Sequence, residues 1–212
     1  MDPAVGLVQA YLHINGYFTV AEYPVMALQE HGRGRSVTDL DILAFRFPGA
    51  SHEFILGSHS RPSEAMPLPD PLLGCPKGKP DMIVGEVKEG RARFNPATRD
   101  PAVLEVALAR FGCCPPEGAS EVVRKLLARG HATTHGGHQV RMVAFGAAGP
   151  DQGGSRWTCV PMGHVVGFIR GYVRENWEVL RHAQLKDSAL SFFAMLEKWE
   201  ALEVRRDDLD HK

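Results

Sequence analysis

Apolar residues recur along this chain first at a helical period and then at a strand period. Between Pro3 and Asn15, Val5, Val8, Tyr11 and Leu12 fall on one helical stripe, and Gly16 ends it. Tyr17 to Leu28 is rich in aromatic and branched residues and predicts a strand, which Pro24 places at a sheet edge or on a bulge. The glycine-rich turn His31 to Arg35 leads into a second strand, Ser36 to Phe47, so the two form a predicted hairpin. Asp81 to Lys88 predicts a third strand. A helix follows over Asp100 to Phe111, with Asp100 as its cap and Pro101 in its first turn, and a shorter one over Ser120 to Arg129, with Ser120 as a candidate cap. Gln139 to Phe145 and Arg156 to Val160 predict a fourth and a fifth strand. Met162 to Arg181 and Asp187 to Val204 predict two long helices.

Pro48 to Pro80 interrupts this series with seven prolines and one short apolar run, Phe54 to Leu56. Loops of that length are usually functional or mobile. The order of elements implies an α/β fold, a mixed central sheet flanked by helices on both sides. The expected organisation is an α/β core over 1–160 carrying a Pro-rich insertion at 48–80, with a C-terminal helical extension over 161–212 packed on it.

Composition narrows the picture modestly. With 212 residues, 44% hydrophobic and 23% charged, the chain is long enough for a real core and ordinary for a globular protein. A net charge of −1 gives no global nucleic-acid signature, so polyanion binding would rest on a local basic patch. No apolar run is long enough for a membrane span, and the amino terminus lacks a basic region followed by an apolar block, so a cytoplasmic, non-membrane protein is expected. Cys75, Cys113, Cys114 and Cys159 fit no disulfide framework and are expected as thiols.

Charge inside two otherwise oily strands is the informative departure. Side chains alternate faces along a strand, so Val37, Asp39, Asp41, Leu43 and Phe45 are expected on one face of the second strand, and Met82, Val84, Glu86 and Lys88 on one face of the third. A half-buried carboxylate is costly unless it is paired or holds a metal. Solvated edge residues with a weak Glu86–Lys88 ion pair are the plain alternative.

Asp41-Ile42-Leu43-Ala44, followed by a strand ending Glu86-Val87-Lys88, resembles the PD-(D/E)XK nuclease superfamily, which includes restriction endonucleases, Holliday-junction resolvases and Mrr-like enzymes. The likeness extends over roughly Pro3 to Phe145, because the order of elements matches as well as the motif. It implies that Asp41 and Glu86 hold Mg²⁺ or Mn²⁺ through carboxylate oxygens, with the Val87 carbonyl as a further ligand. Lys88 would stand beside the attacking water. Many members place a Glu on the first helix, where this chain offers only Gln9; a third acidic ligand would come from Glu22 or Asp39. Asp41 is preferred to Asp39 as the residue opening the motif, since Ala44 then falls at the expected offset. Arg33 and Arg35 before the motif strand, and Arg91 and Arg93 after Lys88, would hold DNA phosphates flanking the cut. The function expected on this basis is metal-dependent hydrolysis of DNA phosphodiesters by an endodeoxyribonuclease-like enzyme, and a homodimer would suit cleavage of both strands. The alternative is a catalytically inactive module of the same fold that binds nucleic acid or a protein. His131, His135 and His138 near Cys113 and Cys114 suggest zinc, but their spacing departs from finger and ribbon patterns, and a solvated loop is preferred.

Overall fold

The computed structural model describes residues 2–28, 34–50, 69–148 and 156–210, except for the side chains of 201–210. Helix α1 (Pro3–Ile14) precedes the hairpin of β1 (Phe18–Leu28) and β2 (Gly34–Arg46). Strand β3 (Asp81–Arg91), α2 (Pro101–Phe111), α3 (Pro116–Arg129), β4 (His131–Thr133) and β5 (Gln139–Ala148) follow. The chain closes with β6 (Thr158–Pro161), α4 (Met162–Glu175), α5 (Trp177–Leu180) and α6 (Ser188–Asp210).

These strands form one mixed six-stranded sheet in the order β1-β2-β3-β5-β4, with β6 also paired to β5. β1, β2 and β3 run antiparallel in succession, whereas β3 pairs parallel with β5, and β5 with β6. A parallel pair needs a crossover, and α2 and α3 supply it. β4 and β6 share the far edge of β5, β4 against Gln139–Arg141 and β6 against Val143–Gly146.

Alternation along the strands builds two cores, one on each face of the sheet. Ile42, Ala44, Ile83, Val87, Val143 and Phe145 pack with Val8, Tyr11 and Leu12 of α1 and with Val165 and Ile169 of α4. Leu43, Met82, Val84, Val140, Met142 and Ala144 pack instead with Leu104 and Leu108 of α2 and with Val122 and Leu126 of α3. The predicted α1 stripe of Val5, Val8, Tyr11 and Leu12 is buried throughout. Phe193 of α6 joins the α1 and α4 cluster, so the C-terminal helices share a core with the sheet.

The α/β class and the mixed sheet flanked by helices match the expectation, and Pro24 lies on the edge strand β1. Asp100 caps α2, its Oδ1 accepting from the Ala102 amide at 2.9 Å. Several limits differ, with β3 running on to Arg91, β5 to Ala148 and α6 to Asp210, and three further differences have a visible local cause. α3 begins at Pro116, so Ser120 is no cap; its hydroxyl donates to Glu105 Oε1 at 2.7 Å. The helix expected over Met162 to Arg181 is divided at Asn176, whose backbone N–H and Nδ2 both donate to the Tyr172 carbonyl, at 3.1 and 2.8 Å, before α5 carries on to Leu180. His131–Thr133, expected as loop, is a short strand because its backbone completes the edge of β5. Of the Pro-rich segment, residues 51–68 lie outside the described residues; Pro71–Leu73 is a 3₁₀ turn. All four cysteines are free thiols. Among the described residues, no helix is long and apolar enough to cross a membrane.

Candidate active site

β2 and β3 stay hydrogen-bonded only from Arg46↔Asp81 to Ile42↔Gly85, and there they part. Beyond that rung β2 continues with β1 alone, as a two-stranded arm, while β3 continues with β5 alone. Gly85 permits the last close rung, because a Cβ there would stand 3.1 Å from the Cβ of Ile42. On the other side of β3, Gly146 lets the Gly90–Ala92 backbone cross over β5, since a Cβ would come within 2.5 Å of the Ala92 nitrogen. The result is a fork whose prongs are the β1–β2 arm and the end of β3.

Asp41, the first β2 residue past the last rung, turns its carboxylate toward β3. Its Oδ2 accepts from the Val87 amide at 2.8 Å, standing in for a ladder acceptor that the departing strand no longer provides. The strand twists here: Leu40 and Leu43, three apart, both reach the α2–α3 core, while Ile42 and Ala44 reach the other. Strict alternation therefore fails at Asp41, contrary to the single face expected for Val37 through Phe45. The partner strand is disturbed at the same level. The β1–β2 register passes from Ala21↔Ile42 to Tyr23↔Leu40, skipping Glu22 opposite Asp41, and Glu22 has φ of +50°. A non-glycine residue in that left-handed region is strained and is commonly found near functional sites.

Three of the expected residues meet in the fork. The Lys88 ammonium lies 2.5 Å from Glu86 Oε1 and 3.7 Å from Asp41 Oδ2. Glu86 is nearly sealed, its side chain 3% exposed against 24% for Asp41 and 35% for Lys88, so the deepest carboxylate is approached past the other two. Burial works against the charge on Lys88, and the hydrogen bond and charge of Glu86, with those of Asp41, outweigh it and raise its pKa. The second Glu86 oxygen is held from below: the Thr98 hydroxyl donates to Oε2 at 2.7 Å, with both groups buried. Thr98 sits in the turn between Asn95, whose Oδ1 accepts from the Ala97 amide, and the α2 cap. Nothing in the sequence marked Thr98 beyond its place between the motif strand and that cap.

The other expected residues do not join them. Glu22 turns away, its Oε1 accepting from the backbone nitrogen of Asp2 at 3.0 Å. Asp39 is exposed on the arm opposite Pro24. Among the described residues, no group of three His, Cys, Asp or Glu could hold a metal ion, so neither supplies a third acidic ligand. The same absence answers the zinc reading: the His138 ring meets the Cys113 carbonyl, 3.4 Å away, rather than a thiol. Burial, with Cys114 alongside, pushes the Cys113 thiol up to about 12. Arg35 lies exposed on the arm, and Arg91 and Arg93 are exposed on the other prong. Arg33 lies outside the described residues.

The donor set suits a hard divalent cation in one respect: carboxylates from two strands flank a single positive charge. Mg²⁺ typically takes one or two protein carboxylates and completes its shell with water and substrate phosphate oxygens, so two are sufficient. Asp41, Glu86 and the Val87 carbonyl are the residues that would hold it. No family model, no curated protein and no solved structure matches this chain.

Proposed function

We propose that this chain is a metal-dependent nuclease of the PD-(D/E)XK type, acting on DNA phosphodiesters at the fork. One observation carries the reading: Asp41, Glu86 and Lys88 converge where β2 leaves β3, open to solvent on one side and anchored on the other. A bound divalent cation would lower the pKa of a water and neutralise charge on the scissile phosphate. Asp41 and Glu86 would hold it from separate strands, each carboxylate steadied by its bond from the Val87 amide or the Thr98 hydroxyl. Lys88 remains an ammonium, able to donate to a developing hydroxide or to the phosphate oxygens as negative charge builds. Arg35 on the arm and Arg91 and Arg93 after Lys88 are exposed, and theirs would be the guanidiniums offered to the phosphates of a polyanion bound at this end of the sheet.

A second reading, a catalytically silent module of the same fold, draws on Glu22, whose carboxylate serves the start of α1 instead of the fork. Incubation of supercoiled, linear and branched DNA with Mg²⁺ or Mn²⁺ separates the two. Metal-dependent cutting is expected, with Asp41→Ala and Lys88→Ala each lowering it by about 10²-fold or more. Intact DNA with the folded wild-type chain on every substrate, under both metals, would favour the silent module.

A further inference from the structure

Two carboxylates held close together repel each other unless a cation stands between them. In the fork that cation is the Lys88 ammonium, 2.5 Å from Glu86 Oε1 and 3.7 Å from Asp41 Oδ2. Of the two Glu86 oxygens, Oε1 is the one on the partly exposed Lys88 side, while Oε2 accepts from the buried Thr98 hydroxyl. An incoming divalent ion that uses Glu86 therefore competes with Lys88 for the same oxygen.

We propose that Lys88 is the resident counter-ion of the Asp41–Glu86 pair, that a divalent cation enters by displacing its ammonium from Glu86 Oε1, and that Thr98 holds the carboxylate still while the two cations exchange. The proposal rests on the nuclease reading in placing a divalent ion at this pair. It gives Lys88 two positions: one on Glu86 before the ion arrives, and one directed into the fork afterwards, where the substrate phosphate would lie. Displacement is feasible because the Lys88 side chain is one-third exposed and its flexible stem can swing outward, whereas Glu86 is sealed and cannot follow. Thr98 is a positioning residue in this scheme. A carboxylate freed from its hydroxyl could rotate and continue to follow the ammonium.

The exchange predicts effects of opposite sign on metal affinity, readable without DNA or cleavage. Mn²⁺ is titrated into the wild-type chain and into Lys88→Met, Thr98→Val and Thr98→Ser, followed by calorimetry, with circular dichroism as the check on folding. Removing the competitor in Lys88→Met is expected to tighten Mn²⁺ binding by about tenfold, although cleavage is lost. Thr98→Val, which keeps the shape without the hydroxyl, is expected to weaken it by about tenfold, and Thr98→Ser to restore it. Binding by the wild type with equal or weaker binding by Lys88→Met would overturn the exchange while leaving the metal site standing. No uptake by either would overturn both. A folded Thr98→Val that binds as the wild type does would remove Thr98 from the scheme; should it fail to fold, Thr98→Ser and Lys88→Met decide.

Discussion

β3 carries two buried carboxylates on opposite faces, and they have opposite designs. Asp81, at the start of the strand, is fully enclosed. Arg141 of β5 meets it with a two-pronged fork, Nε to Oδ1 at 2.9 Å and Nη2 to Oδ2 at 2.6 Å, and the Tyr17 hydroxyl donates to Oδ2 as well. The remaining guanidinium nitrogen, Nη1, donates to the Leu73 carbonyl at 2.7 Å, tying the 3₁₀ turn to the sheet. Burial opposes the charge on Arg141, and its bonds to Asp81 outweigh that and raise its pKa, while burial and the Asp81 charge drive the Tyr17 hydroxyl far above its usual value. Glu86, further along the same strand, has a fixed inner oxygen and an outer one shared with a lysine that water reaches. Both clusters satisfy their charges. Only one leaves a charge that can be exchanged for another, which is the property a chemical site needs and a structural one lacks.

The sharpest way to break this comparison is to make one chemical change, carboxylate to amide, in each place. Asp81→Asn is expected to have the largest effect, a loss of about 3–5 kcal/mol, because it leaves the Arg141 charge buried without its partner. The midpoint of urea denaturation checks it. A loss below about 1 kcal/mol would mean that the Asp81–Arg141 cluster resembles a surface pair and that closure is not what distinguishes it.

A smaller effect, separable by its pH dependence, is expected at Asp70, the polar anchor near the same turn. Its Oδ2 accepts from the Tyr11 hydroxyl at 2.7 Å and lies 2.6 Å from His164 Nε2, and its Oδ1 accepts from the Leu72 amide at 2.9 Å. Burial alone would raise this carboxyl, but the bonds from Tyr11, His164 and Leu72 outweigh it and hold its pKa below the ordinary value. A lowered pKa in the folded state means that the ionised form stabilises the fold above the ordinary carboxylate range, near pH 4, and that this contribution disappears as pH falls through the lowered value. The stability gap between wild type and Asp70→Asn is therefore expected to narrow between about pH 5 and pH 2. Denaturation midpoints across that range measure it; a gap constant with pH would show that the carboxylate charge is not what anchors the turn.

The two clusters also differ in how far the sequence revealed them. Asp41, Glu86 and Lys88 stand out because charges at alternating positions of an apolar strand violate the binary pattern, and such violations mark sites. Asp81 opens its predicted strand, where charge is ordinary, and Arg141 is a lone charge with no carboxylate beside it in its own strand, so only the parallel pairing of β3 with β5 reveals them as partners. Thr98 was hidden for a related reason: a threonine in a turn is common, and its partner became visible only when the turn folded back under β3. The single face expected for Asp39, Asp41 and Leu43 failed because periodicity assumes regular pairing. The +50° φ at Glu22 and the skipped rung opposite Asp41 break it at the fork. The helical stripe of α1 and the Asp100 cap of α2 were legible because they depend on local periodicity and capping alone.

Glu86→Gln is expected to have the smallest effect and completes the comparison. The amide can still accept from Thr98 through its carbonyl oxygen, and it removes the cost of keeping a charge out of water. It also loses the ion pair with Lys88, but that ammonium is one-third exposed and can be rehydrated where Arg141 cannot. These terms oppose each other, so the stability change is expected to stay within about 1 kcal/mol in either direction. Any rise in the denaturation midpoint with Mn²⁺ that the wild type shows is expected to vanish, because the ligand is gone while the fold remains. Side-by-side urea titrations of Glu86→Gln and Asp81→Asn, each with and without Mn²⁺, measure both quantities. If Glu86→Gln destabilised the chain as severely as Asp81→Asn, the fork would be a second structural ion pair, and its partial exposure would carry no chemical meaning.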